Sequence, residues 1–224
     1  MKKIVMKCLT LIAVLVTGIL VLSGCSTESD IYTESTYVTA AADVETLTVD
    51  VNNRIIEIRE SEDEQIHLNY FESEKEFYTI EMTDEKELSM VSTTNKQWPD
   101  YIGVNAGPSG KRILVLLPPG MIQNLTLKTS NEDLTLNSLI IPGTISVNVN
   151  NGDINIDSLD VGTKAALETK NGDIKGSIIG SYDVFSIQSD VKKGESNLPA
   201  KKETGAKALS VSANNGNIAI EFVQ

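Results

Sequence analysis

The sequence predicts an all-β domain, a β-solenoid or β-roll-like stack of repeats about 20 residues long. Three observations predict it. First, apolar and polar residues alternate strictly over five or six positions, as in Ile145-Ser-Val147-Asn-Val149, which is the pattern of a strand with one buried face. Second, such runs are punctuated by Asn151-Gly152-Asp153 and its kin, residues that tolerate positive φ and let the chain turn sharply. Third, the punctuation recurs: Asn131, Asn151 and Asn171 are 20 residues apart, and Asn215 follows 44 later. The apolar columns keep the same beat, with Leu125, Ile145, Ala165 and Phe185 at steps of 20 and Leu209 a further 24 on. One strand-turn-strand unit cannot bury its apolar face alone, but stacked copies can, because like columns pack on each other. Asn-Gly is also the strongest short hairpin signal, so a hairpin connection is the competing reading.

Taken in order, residues 1–24 read as a targeting segment. Lys2, Lys3 and Lys7 form a positive start, and Leu9 to Leu22 is an apolar run too short for a comfortable transmembrane helix. The run ends in Leu22-Ser23-Gly24-Cys25, which resembles the lipobox of bacterial lipoproteins. That resemblance implies lipid transfer to the Cys25 thiol, cleavage before it, and an extracytoplasmic chain anchored to the cell membrane by its lipid. Cys8 leaves with the leader, so the mature chain keeps no thiol for a disulfide, a metal or nucleophilic chemistry. Residues 25–43 are small, polar and aperiodic and predict a flexible tether. The folded domain is expected over 44–224. It opens with a worn repeat at Leu47–Ile58, where Arg54 stands in the glycine place. Strands follow over 66–71, 77–82, 87–92 and 111–117, with a hairpin around Thr83-Asp-Glu-Lys86. Asn95 to Gly110 is a long loop. Pro118-Pro119 ends the next strand, since proline cannot continue a central ladder. The regular repeats then run on, with residues 199–207 as an inserted loop and Ile218–Val223 as the expected terminal rung. Val191-Lys-Lys193-Gly194 departs from the Asn-Gly-Asp pattern.

The run Ile113-Leu-Val115-Leu-Leu-Pro-Pro-Gly120, followed by repeats of alternating strand, Asn-Gly-Asp-Ile and alternating strand, resembles the bacterial adhesin-like domains of unknown function found on cell-surface proteins. The resemblance spans about 44–224. It implies a β-solenoid-like fold and an envelope location, and it brings no catalytic residue with it.

Charge narrows the partners. The full chain carries a formal net charge of −12, and loss of the three leader lysines leaves 16 basic against 31 acidic residues, or −15. An acidic surface argues against nucleic acid, whose binding requires neutralised phosphates. It also argues against a polybasic grip on anionic lipid, so a membrane contact falls to the acyl chain.

Candidate sites are few. Asp133, Asp153 and Asp173 hold one repeat position and would stack as a carboxylate column with rungs about 4.8 Å apart. They read as turn formers, with a calcium site as the other reading. The asparagine column reads as a side-chain amide ladder that fixes register. His67, the single histidine, alternates with Ile66 and Leu68 and should face outward. No nucleophile elbow is present and no carboxylate pair is marked for glycoside hydrolysis. Trp98 and Tyr101, in a loop bracketed by proline and glycine, are the candidate ligand contacts, with capping of the β-core as their plainer role. The expectation is therefore a non-enzymatic, lipid-anchored binding module of the bacterial envelope, needing no cofactor or metal and meeting an envelope protein or a wall glycan. The alternative is an envelope-stress sensing or regulatory lipoprotein acting on a membrane partner.

Overall fold

A computed structural model describes residues 31–96 and 108–224. The chain crosses between two facing sheets at each Asn-Gly turn. In the repeat Thr144–Asn151 (β11) and Ile154–Val161 (β12), the two strands share no pairing and lie in different sheets. The hairpin reading therefore fails here, and each strand pairs parallel with strands of other repeats. β11 lies between Asn124–Thr129 (β8) and Lys164–Asn171 (β13), with Ile145 beside both Leu125 and Ala165. β12 lies between Leu134–Leu136 (β9) and Ile174–Ile179 (β14), with Leu139–Ile141 (β10) also paired to it. The worn repeat, Thr46–Asp50 (β2) and Ile55–Glu60 (β3), stacks on β8 and β9 in the same manner.

Alternation decides which side chains meet. In β11 the odd positions Ile145, Val147 and Val149 are at most 1% exposed, while the residues between them face out. Opposite stand Leu134, Ile154 and Ile174, all fully buried. The two inner faces form one continuous apolar core, in which each fully buried Leu or Ile contributes about 1.5–3 kcal/mol relative to exposure.

Both ends depart from simple sequential order. Beyond β2 and β3 lie Glu87–Thr94 (β6) and Arg112–Leu117 (β7), although they come later in the chain. Glu76–Met82 (β5) pairs antiparallel with β6 as the expected hairpin, its turn made by Lys86 at φ +61°. Gln65–Glu72 (β4) pairs antiparallel with β7. Part of the stretch expected as tether also joins this end: Thr33–Ala40 (β1) pairs with β4 along its whole length. Ser35 and Thr36 hydrogen-bond Glu72 and Asn69 across that pair, and Tyr37 packs on the core.

At the other end Ile218–Val223 (β18) closes the first sheet, but the second sheet continues past its partner Lys207–Asn215 (β17) to Phe185–Lys193 (β15) and the two-residue Lys201–Lys202 (β16). Leu209, not Phe185, thus lies beside Ala165, and Ile187 lies beside Leu209. The physical reason is that an inner rung needs an apolar strand in each sheet. Residues 207–223 offer two, whereas the segment after β15 reaches the first sheet only through a bridge from Ser196 to Ile218. Asn197 then covers the open edge of β18: its side-chain amide donates to the Ile220 carbonyl at 2.8 Å and accepts from the Ile220 N–H at 3.0 Å.

Candidate functional site

The crossovers differ sharply in length. Between β11 and β12 only Gly152 and Asp153 intervene. Between β6 and β7 stand residues 95–111, of which 97–107 lie outside the described residues, so this connection is far longer than the Asn-Gly crossovers. Trp98 and Tyr101 fall within this connection in sequence; they and Cys25 lie outside the described residues.

The feet of the loop are tied down. At its start the Asn95 N–H donates to the Lys75 carbonyl at 2.9 Å, and the Lys96 ammonium meets the Glu76 carboxylate at 2.8 Å. At its end Lys111 pairs with Glu132 at 2.5 Å. Beneath lies Arg54, only 4% exposed. Its Nε donates to the Tyr78 hydroxyl at 2.6 Å, Nη2 to Glu76 at 3.1 Å, and Nη1 to the Asn53 carbonyl at 3.0 Å. The Tyr32 hydroxyl also reaches Glu76, and the Tyr70 ring meets Tyr78 edge-on at 5.0 Å. Sequence reasoning singled out Arg54 only as a damaged glycine. The signal was there to be read further: a long cation in a position that later repeats fill with Gly152, Gly172 and Gly216 has to find partners, and β5 provides them in Glu76 and Tyr78.

Electrostatics follow from this packing. Burial alone would raise the Glu76 carboxyl, but hydrogen bonds from Lys96 and Tyr32 and the charge of Arg54 hold it below its ordinary value. Burial raises the Tyr78 hydroxyl despite Arg54 beside it, and pushes Tyr70 up to about 12 with Glu72 adding to the shift. On the outer face of the first sheet, Glu57 is 7% exposed and held by Arg59 and Arg112. Its burial is outweighed by those two hydrogen bonds, so it too titrates low. Among the described residues no buried side-chain nitrogen or oxygen lacks a partner. Such a cluster has no idle acid or base; what it can do is hold the loop's feet at fixed positions. The hollow above it, lined by Asn52, Asn53, Arg54, Glu76, Ser92 and Thr94, encloses about 90 Å³, well under the roughly 300 Å³ of a small-molecule pocket.

The other sequence candidates have structural partners. The Asn131, Asn151, Asn171 and Asn215 amides form a ladder with links of 2.5–2.6 Å, and Asn53 extends it at the loop end. In the aspartate column, Asp133 accepts the Asp153 N–H at 2.8 Å, Asp153 that of Asp173 at 2.8 Å, and Asp173 that of Asn217 at 2.7 Å. Lys193, Gly194 and Glu195 take the Asn, Gly and Asp places in the outermost rung: Lys193 lies beside Asn215, and the Glu195 N–H donates to Asn217. Among the described residues no group of three or more His, Cys, Asp or Glu is placed to hold a metal. His67 faces outward as expected, and its Nε2 lies 3.0 Å from Asp63, which also accepts from Ser61 at 2.8 Å. Both groups converge on the aspartate, so the serine has no base to activate it.

The fold and this end define a class: an all-β module of two parallel-rich sheets with a long β6–β7 connection whose described ends are tied down. The chain belongs to the Toastrack DUF4097 family, whose model matches residues 44–224. Among solved structures it is similar to a candidate cell adhesion protein from Clostridium sporogenes, at 15% identity over 86% of this chain and 100% of that one, with a TM-score of 0.59. It also aligns with a candidate adhesin from Bacteroides fragilis, at 15% identity over 85% and 97%, with a TM-score of 0.33, and with a candidate lipid binding protein from Parabacteroides distasonis, at 11% identity over 84% and 97%, with a TM-score of 0.25. No curated protein matches the chain. Within the described residues no helix is long and apolar enough to cross a membrane.

Proposed function

We propose that this chain is a non-enzymatic binding module of the bacterial envelope, an extracytoplasmic protein anchored to the cell membrane by a lipid on Cys25. The stack of about 20-residue repeats acts as a rigid post, and Trp98 and Tyr101 meet an envelope protein or a wall glycan at its loop-bearing end. One observation carries the reading: a long connection is set on feet pinned by Arg54, Glu76, Lys96, Lys111 and Glu132, while the Asn-Gly crossovers at 152–153, 172–173 and 216–217 are tight turns. Loops positioned by a rigid scaffold are where binding residues concentrate.

Photocrosslinking residues placed at 98 and 101 of the full chain in cells test it. Adducts to a membrane protein favour an interaction or sensing role on that partner. Adducts to glycan favour adhesion. If neither position yields an adduct, the loop is a cap and the reading falls. The anchor is tested separately: Cys25→Ser should abolish metabolic labelling by an alkyne fatty acid, and persistent labelling would remove Cys25 from the proposal.

A further inference from the structure

The end of the stack opposite the loop carries a basic hollow on an otherwise acidic chain. It crosses four neighbouring strands on the outer face of the second sheet. The register sets Lys164, Ala208 and Ser186 abreast, with Ala166, Ser210 and Gln188 in the next row. Because strand side chains alternate, these residues face out while Ala165, Leu209 and Ile187 fill the core. Ala208, between Lys164 and Ser186, has too little bulk to fill its interval and leaves a dip. β16 extends the sheet beyond it and places Lys201 beside Gln188. The resulting hollow encloses about 390 Å³, within the range of small-ligand sites.

Its chemistry is distinctive. Lys164, Lys201 and Lys202 line it against one carboxylate, Glu203, for a lining charge of +2. The Lys202 ammonium is folded onto the carbonyls of Asp183, Phe185 and Thr204. Among the described residues Lys201 pairs only with Glu203, an ion pair with both side chains more than 70% exposed, which contributes little. Among the described residues the Lys164 ammonium, the Gln188 amide and the Ser210 hydroxyl have no partner. Two ammonium groups thus flank a floor of one amide and two hydroxyl-bearing residues, and no aromatic ring lines the site. A neutral sugar or a nucleobase is usually gripped by stacking on a ring; this site offers charge, hydrogen bonds and the small apolar surface around Ala208, and no ring.

We propose that this hollow binds an anionic saccharide or polyol, its carboxylate or phosphate between Lys164 and Lys201 and its hydroxyls on Ser186, Gln188 and Ser210. The next row, Glu168, Ser212 and Asp190, is acidic at both flanks, so the anionic group is confined to the lysine end. The site is independent of the loop at the other end.

The test is calorimetric titration of the full chain at low salt with trigalacturonate, with glycerol 3-phosphate and with neutral galactotriose. Binding of trigalacturonate alone identifies a carboxylated sugar, and binding of glycerol 3-phosphate alone a phosphorylated polyol; either supports the proposal. Lys164→Ala with Lys201→Ala should weaken that binding about tenfold or more, since charge-assisted hydrogen bonds are lost. Both side chains are exposed, so the variant should keep its melting temperature. Ser210→Trp, which fills the hollow, should abolish binding as a second check. Trp98→Ala with Tyr101→Ala should leave it unchanged, which separates this site's failure from that of the loop. Absence of binding at millimolar probe, equal binding of galactotriose, or an unaffected lysine variant would overturn the proposal.

Discussion

Gly172 sits at φ +153°, and a Cβ there would lie 2.1 Å from the Gly152 carbonyl oxygen. The stack therefore needs the absence of a side chain at this turn as well as the backbone freedom that glycine brings. Gly172→Ala should cost at least ~2 kcal/mol, from strain and a backbone clash that cannot relax, and a loss below half of that in urea unfolding would show that the rungs can spread. The aspartate column makes a sharper claim, because Asn217 already serves in it as an acceptor. If each carboxylate acts only through the Oδ1 that accepts the next N–H, Asp133→Asn/Asp153→Asn/Asp173→Asn should stay within about 0.5 kcal/mol of the parent, and calcium should shift the melting temperature of neither. A calcium-dependent rise in the parent that the triple variant lacks would restore the metal reading. The amide ladder and the turn glycines were legible in the sequence because their chemistry is local: Asn, Gly and Asp at fixed offsets describe their own geometry. The tie of Asp63 to both His67 and Ser61 was not, since pattern alone gives His67 a direction and no partner.

Among the elements, what was readable was the strand-turn-strand unit, and what was hidden was the order of stacking. Alternation places Phe185 and Leu209 in equally good columns, and only the supply of a second apolar strand, Ile218 to Val223, decides which lies beside Ala165. β1 escaped notice for a related reason. Its residues are mostly polar and show no apolar alternation beyond Tyr37, and its pairing rests on the open edge of β4, a partner distant in sequence. The loop-bearing end depends on Arg54 more than its surface neighbours suggest. Arg54→Ala should destabilise the chain by roughly 3 kcal/mol, as breaking a buried pair leaves its partners uncompensated, while Arg54→Met should recover part of the loss by filling the space. Proteolysis between residues 96 and 111 should quicken in the alanine variant before the rest of the chain is cut. Equal cleavage rates in parent and variant would mean that Arg54 does not hold the loop's feet.

For the whole molecule, acid should act first at this end. Glu57 and Glu76 titrate below their ordinary values when folded, so the unfolded chain binds more protons and stability rises with pH. Their contribution is present above the unfolded glutamate value of about 4.3 and is lost as pH falls through the lower folded values. Hydrogen exchange at pH 3 should show β5, β6 and β7 opening before β11 to β14, and Glu76→Gln should flatten the acid limb of the stability curve. Tyr70 works in the other direction: its hydroxyl, pushed up to about 12, favours the fold below pH ~10 and ceases to as pH rises towards 12. Tyr70→Phe should remove that alkaline loss; an unchanged alkaline limb would assign it elsewhere.

The insertion of β17 and β18 between β13–β14 and β15 also fixes when the molecule can be finished. A nascent chain that has reached residue 206 already holds β15, yet the place between β13 and β15 is empty and the edges of β13 and β14 stand bare. Such edges are templates for foreign strands. Residues 207–223 are thus the keystone: a chain cut short before them remains an open seam, and only a product that carries them closes it.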